Sequence, residues 1–205
     1  MADVLVLAGD LTDLGKREEA EILAQDVKAC SIPVLAVLGN HDHESGQPEV
    51  VRQVLRDAGV MMLETRAFVV GNVGFVGTKG FAGGFGRHLL TAFGEPVIKQ
   101  FVTESLNEAA RLENGLRTLH TERIFVVLHY APVRDTIAGE PLEIYPFLGS
   151  SRLAEAIDRF NVSAVVHGHA HHGKYEGRTP GGVPVYNVAS QVEKPTGRTY
   201  GLIEV

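Results

Sequence analysis

The sequence predicts an α/β fold, and three observations carry that prediction. Short β-rich apolar runs alternate along the chain with longer segments whose apolar residues recur at helical spacing. Four of the apolar runs stop abruptly at polar clusters built from Gly, Asp, Asn and His. The last third breaks into short apolar pieces separated by Gly and Pro, which suits antiparallel pairing. At 205 residues the chain is long enough for one well-buried domain, and no linker composition interrupts residues 1–205.

In chain order, Asp3 to Ala8 (DVLVLA) reads as a buried strand running into Gly9-Asp10. Lys16 to Ala29 sets Ala20, Ile22, Leu23 and Val27 among charges, an amphipathic helix pattern. Ile32 to Leu38 (IPVLAVL) is a second buried strand, ending in Gly39-Asn40-His41-Asp42. Pro48 to Ala58 reads as a helix stopped by Gly59. Phe68 to Gly77 holds two strands around the hairpin signal Gly71-Asn72. Gly77 to Gly86 is glycine-rich but fits neither a dinucleotide fingerprint nor a P-loop, and reads as a mobile loop or lid with Arg87 and His88 at its far edge. Pro96 to Leu119 reads as a long helix. Arg123 to Leu128 (RIFVVL) is a third buried strand and ends in His129. Ser150 to Phe160 is helical, and Val162 to Val166 is a strand that drives into His167-Gly168-His169-Ala170-His171-His172. Tyr175, Val183 to Val188 and Thr199 to Val205 read as closing strands.

Composition narrows the function. A net charge of −6 argues against a general nucleic-acid or membrane-surface binder, although a metal ion would invert the local charge for a phosphorylated substrate. The single cysteine, Cys30, excludes an internal disulfide and suits a reducing cytoplasm; it reads as a core residue. No apolar run reaches about 18 residues and no charged-then-apolar leader opens the chain, so the expectation is a soluble, cytoplasmic protein.

The strand ends place Asp10, Asn40-His41, His129 and His169/His171 where ligand sites gather in open α/β sheets, beyond the carboxyl ends of strands. Asp, Asn and His are oxygen and imidazole donors that suit Mn²⁺, Fe or Zn²⁺ better than Ca²⁺. Taken singly, each has a plainer role: Asp10 as a helix cap, Asn40 as a turn residue, His129 as a packed histidine. Together, at four strand ends, they point to a metal site. Among the remaining polar residues, His167 reads as a packed strand residue, and His43 and His120 as surface residues. His172 fits an outer position or solvent equally. Arg87 and Arg134 read first as surface residues, with contact to a substrate phosphate as the alternative.

In order and spacing, Gly9-Asp10, Gly39-Asn40-His41-Asp42, His129 and Gly168-His169-Ala170-His171 resemble the motifs of the calcineurin-like metallophosphoesterases. The resemblance covers nearly the whole chain. It implies two mixed β-sheets in a sandwich flanked by helices, and hydrolysis of a phosphomonoester or phosphodiester by metal-activated water. It makes Asp10 the carboxylate bridging two ions, with Asn40, His129 and His169 completing one metal site and His171 belonging to the other. His41 matches the histidine that contacts the phosphate or protonates the leaving group, and Asp13 matches its acidic partner. The implied cofactors are divalent ions, Mn²⁺ or Fe first and Zn²⁺ next. The implied partner is a phosphate-ester small molecule or nucleotide. Family members open with a strand ending in D-x-H, and none precedes Gly9-Asp10 here. The expectation is therefore an N-terminally shortened domain over 1–205 with its first strand missing and one site short of two ligands. The alternative is a catalytically impaired or inactive member of the same fold, used as a binding or scaffold module.

Overall fold

The structure, a computed structural model, describes residues 2–64 and 66–205. Among the described residues, nine strands and five α-helices alternate: β1 (Leu5–Ala8), α1 (Arg17–Lys28), β2 (Val34–Val37), α2 (Pro48–Asp57), β3 (Met61–Met62), β4 (Phe68–Val70), β5 (Val73–Thr78), α3 (Pro96–Leu116), β6 (Arg123–Leu128), α4 (Tyr145–Leu148), α5 (Ser151–Ile157), β7 (Ala164–His167), β8 (Glu176–Arg178) and β9 (Pro184–Asn187). No helix of these is long and apolar enough to cross a membrane.

The strands form two sheets. One is β1-β2-β3; the other is β4-β5-β6-β7-β9-β8. The six-stranded sheet is mixed, since the β4/β5 and β8/β9 pairs are antiparallel and the pairs between β5 and β9 are parallel. The three-stranded sheet is parallel throughout, which corrects the expectation of two mixed sheets. Helical crossovers α1 and α2 return the chain to the same end each time, and such a return can only produce parallel neighbours.

Side-chain alternation then builds four layers. In β2, Leu35 and Val37 face the second sheet, where they meet Phe75, Phe125, Val127, Ala164 and Val166. Their neighbours Ala36 and Leu38 face the other way, onto Ala20, Ala24 and Val27 of α1 and Val51 and Leu55 of α2. Across the sandwich, Val126 and Leu128 of β6 pack on Leu112 and Leu116 of α3 and Leu153 and Ile157 of α5. Each fully buried leucine contributes roughly 1.5–3 kcal/mol relative to exposure, so these layers are what hold the strand ends in place.

Three further expectations are corrected. Residues 199–205 form no strand; Ile203 and Val205 lie against the inter-sheet core without a ladder partner among the described residues. The glycine-rich stretch is pinned rather than free: Ala82, Gly83 and Gly84 are buried, and the Gly83 and Gly84 N–H groups donate to the Pro146 and Gly149 carbonyls at 2.8 and 2.9 Å. Its anchor at the other end is Glu108 of α3, buried, which accepts from Thr78 and, at 2.8 Å, from the Gly80 N–H. Cys30 is exposed just beyond α1 rather than in the core.

A buried carboxylate joins the loops that follow β1 and β2. Asp42 is fully buried and accepts from the Leu11 and Thr12 N–H groups (3.1 and 2.8 Å), the Thr12 hydroxyl (2.6 Å) and the Gly39 N–H (2.7 Å). Asp42→Ala strands three backbone donors in the interior, each costing about 1–3 kcal/mol. Urea unfolding should therefore show a loss of about 3 kcal/mol or more; a loss below about 1 kcal/mol would mean that the carboxylate does not hold the two loops together.

Candidate metal centre

Four side chains from both sheets meet at the carboxyl edge of the sandwich. Asp10 follows β1 and Asn40 follows β2; His129 follows β6 and His169 follows β7. Ligand atoms of Asp10, His129 and His169 all lie within 4.8 Å of one another. Glycine makes the approach possible. A Cβ on Gly9 would fall on the His129 ring, and one on Gly39 would fall on the Asp10 carboxylate.

His129 fixes the protonation pattern. Its ring is buried, with Nδ1 2.9 Å from the Ala8 carbonyl oxygen. A carbonyl only accepts, so Nδ1 carries the proton and Nε2 turns a lone pair outward. That lone pair faces Asn40 Oδ1 at 2.9 Å and Asp10 Oδ1 at 3.3 Å. Three electron-rich atoms therefore converge with no proton between them, an arrangement that is repulsive alone and favourable around a cation. The donor set fits a divalent ion on this ground.

The electrostatics keep the donors in ligating form. Burial, reinforced by the neighbouring His169, holds the His129 imidazole well below its ordinary pKa. Burial also pushes His169 down to about 4, so both rings are neutral at pH 7 with lone pairs available. His169 Nε2 lies 3.3 Å from the Phe147 carbonyl and donates to it, which leaves Nδ1 as its free lone pair. Burial raises Asp10, while the His41 N–H, donating to Oδ1 at 3.0 Å, pulls it down. Without a cation the Asp10 carboxylate is thus only partly compensated. Asp10 (φ 51°) and His169 (φ 66°) are the only non-glycine residues with positive φ among the described residues. Such backbone costs of order 1–3 kcal/mol each and clusters at functional sites.

The remaining predicted residues surround this group. His41 is exposed, and its Nδ1 lies 2.8 Å from the Asp13 main-chain carbonyl and 3.5 Å from the Asp13 carboxylate. Its pKa is raised, first by that carbonyl and then by the Asp10 and Asp13 charges, against an opposing effect of burial. Asp13 thus acts on His41 mainly through its backbone. His171 is exposed, and its ring is outside the compact group of three. His167 is a packed residue, buried and hydrogen-bonded to Thr136 Oγ1 at 2.7 Å. His43 and His120 are at the surface.

Two supports escaped the sequence reading. Asp42 closes the motif Gly39-Asn40-His41-Asp42, where the sequence assigns it no role of its own. Lys79 lies in the glycine-rich stretch, and its carbonyl accepts from the N–H groups of both His129 (3.1 Å) and Tyr130 (3.0 Å). Its ammonium lies over the Phe81 and Tyr130 rings, 4.8 and 5.2 Å from their centroids. A lysine beside two aromatics separated in sequence leaves no periodic trace.

Comparison with known proteins places the chain in a family. The family described as calcineurin-like phosphoesterase matches residues 1–173. A protein of Arcobacter nitrofigilis named as a probable glycerophosphodiester phosphodiesterase, GpdQ, is 22% identical over 176 residues, 82% of this chain. The chain spans 56% of that relative's length. Two solved structures share the fold. TT1561 of Thermus thermophilus has a TM-score of 0.50 at 18% identity, covering 94% of this chain and 79% of its own. A Staphylococcus aureus protein named as a 5′-nucleotidase, solved with alpha-ketoglutarate, has a TM-score of 0.51 at 18% identity, covering 85% of this chain and 35% of its own. With that family matching residues 1–173, most of its length, the chain belongs to the calcineurin-like phosphoesterase family.

Proposed function

We propose that this chain is a metal-dependent phosphoesterase acting on a small phosphate ester or nucleotide. The observation that carries the reading is the proton-free convergence of Asp10 Oδ1, Asn40 Oδ1 and His129 Nε2, with His169 completing the group. A divalent ion held there would supply Lewis acidity and would lower the pKa of water enough to provide a nucleophile for phosphorus at neutral pH. Oxygen and imidazole donors without thiolate suit Mn²⁺, Fe or Zn²⁺. The phosphodiesterase name of the Arcobacter nitrofigilis relative favours a diester over a monoester.

The chain's own residues divide the other tasks. Asp10, Asn40, His129 and His169 hold the ion, and the Ala8 carbonyl keeps His129 in the ligating tautomer. His41 has its Nδ1 proton directed to the Asp13 carbonyl, which leaves Nε2 to face solvent and substrate. Its raised pKa favours the protonated form, the one that can donate a proton to the leaving oxygen or balance that oxygen's charge. The exposed His171 is the first residue placed to serve a second ion.

This reading implies one complete centre. Elemental analysis should find about one tightly held ion per chain, and His129→Ala or His169→Ala should abolish it. Two tight ions per chain would overturn that assignment and make His171 a full ligand.

His41→Ala should lower kcat on an ester with a poor leaving group by about 10²–10⁴-fold while leaving metal content intact. Because the acid must carry its proton, the wild-type rate should be full below the His41 pKa and fall as pH rises through it. That limb lies above the ordinary value of 6.5. It should vanish in the variant. Unchanged kcat in His41→Ala, or a wild-type rate that keeps rising across that range, would remove His41 from the acid role.

A further inference from the structure

One concavity of the molecule is lined by none of the four proposed ligands. It is a groove of about 610 Å³ whose walls include Phe85, Arg87, Pro132, Arg134, Asp135 and Arg178. The three arginines arrive from three separate parts of the chain: the 3₁₀ turn Gly86–His88, the loop after β6, and strand β8. All three are exposed.

Among the described residues, none of the three guanidinium groups is neutralised. Arg87 Nε contacts His88 Nε2 at 3.1 Å, Arg134 lies 5.4 Å from the centroid of the Tyr145 ring, and Arg178 donates to the Gly182 carbonyl at 2.9 Å. None of these partners is a carboxylate. Elsewhere, Arg17, Arg52, Arg111, Arg117 and Arg159 each pair with a glutamate. In a chain of net charge −6, three uncompensated arginines around one hollow are a local reversal of sign. The single acid in the wall is Asp135, and the adjoining smaller hollow shared with Arg178 adds Glu176. Charge therefore favours an anion, and the planar fork of arginine matches the oxygens of phosphate bidentately.

Beside the charges the wall carries the apolar Phe85, Pro132, Val133 and Ala154, with His88, Ser151 and Thr179 between them. A free inorganic anion leaves that surface wet, whereas an organic phosphate covers it. The volume is in the range of small-molecule sites. We propose that this groove is an accessory binding site for an organic phosphate of nucleoside-monophosphate size, with its phosphate held by Arg87, Arg134 and Arg178 and its organic part laid on Phe85 and Pro132. The site does not depend on hydrolysis at the metal centre.

Titration calorimetry on chelator-treated protein tests this, with adenosine monophosphate and inorganic phosphate as probes. Adenosine monophosphate should bind, and about tenfold or more tightly than inorganic phosphate, because only the organic probe covers the apolar wall. Replacing all three arginines (R87Q, R134Q, R178Q) should weaken its binding by about tenfold or more, and His169→Ala should leave it unchanged. If the triple variant loses its native circular dichroism, Arg87→Gln alone should still weaken binding several-fold, since the Arg87 guanidinium is exposed and bonds to its own neighbour His88. No binding to the wild type, equal binding of the two probes, retention in the arginine variants, or loss in His169→Ala would each overturn the proposal.

Discussion

One hydrogen bond holds the two halves of the site together. The His129 Nδ1–H leaves the end of β6 in the six-stranded sheet and reaches the Ala8 carbonyl at the end of β1 in the three-stranded sheet. It bridges the sandwich at its carboxyl edge, and the same bond selects the tautomer that turns Nε2 toward Asp10 and Asn40. Packing and chemistry are thus set by one proton. If the sheets slid by a strand position, the carbonyl would move away from Nδ1 and the Nε2 lone pair would lose its direction. The hydrophobic layers therefore serve the site by fixing register. Phe125 and Val127 of β6 interlock with Leu35 and Val37 of β2, and the residues just beyond those strands have no freedom to drift.

The crowding around that bond explains the glycines and the buried acid. Gly9 and Gly39 lie where a side chain would collide with His129 or Asp10, so the loops can close on the site only without a Cβ. Loops that close so tightly point main-chain N–H groups inward, and Asp42 collects three of them. A carboxylate fully removed from water is tolerable because charge-assisted hydrogen bonds surround it. The supporting residue is as polar as the ligands, yet its partners are backbone atoms.

Much of this was legible in the sequence because the signals were local. DVLVLA, IPVLAVL and RIFVVL are short, apolar and end at glycine, asparagine or histidine; β1, β2 and β6 lie within them, and the residues beyond them converge on the site. The candidate ligands Asp10, Asn40 and His129 sit just beyond those ends, and His169 follows the fourth apolar run, Val162 to Val166. What local signals cannot carry is a partner. Ile203 and Val205 have a strand-like pattern, but no described strand pairs with them, so residues 199–205 stay irregular. The glycine-rich stretch suggested motion, yet Glu108 and the Pro146 and Gly149 carbonyls, all distant in sequence, hold it down. The parallel character of the first sheet and the role of the Asp13 backbone depend likewise on how segments return to one another.

The left-handed backbone at Asp10 and His169 has a consequence for anyone reshaping this protein. At both positions glycine would relieve the conformational penalty, so a screen that rewards thermal robustness alone would drift toward it and erase two of the four proposed ligands. The centre therefore sits where durability and chemistry pull in opposite directions. A redesign that hardens the scaffold must freeze these two positions first and seek its gains elsewhere, on the outer faces of α1, α2 and α3.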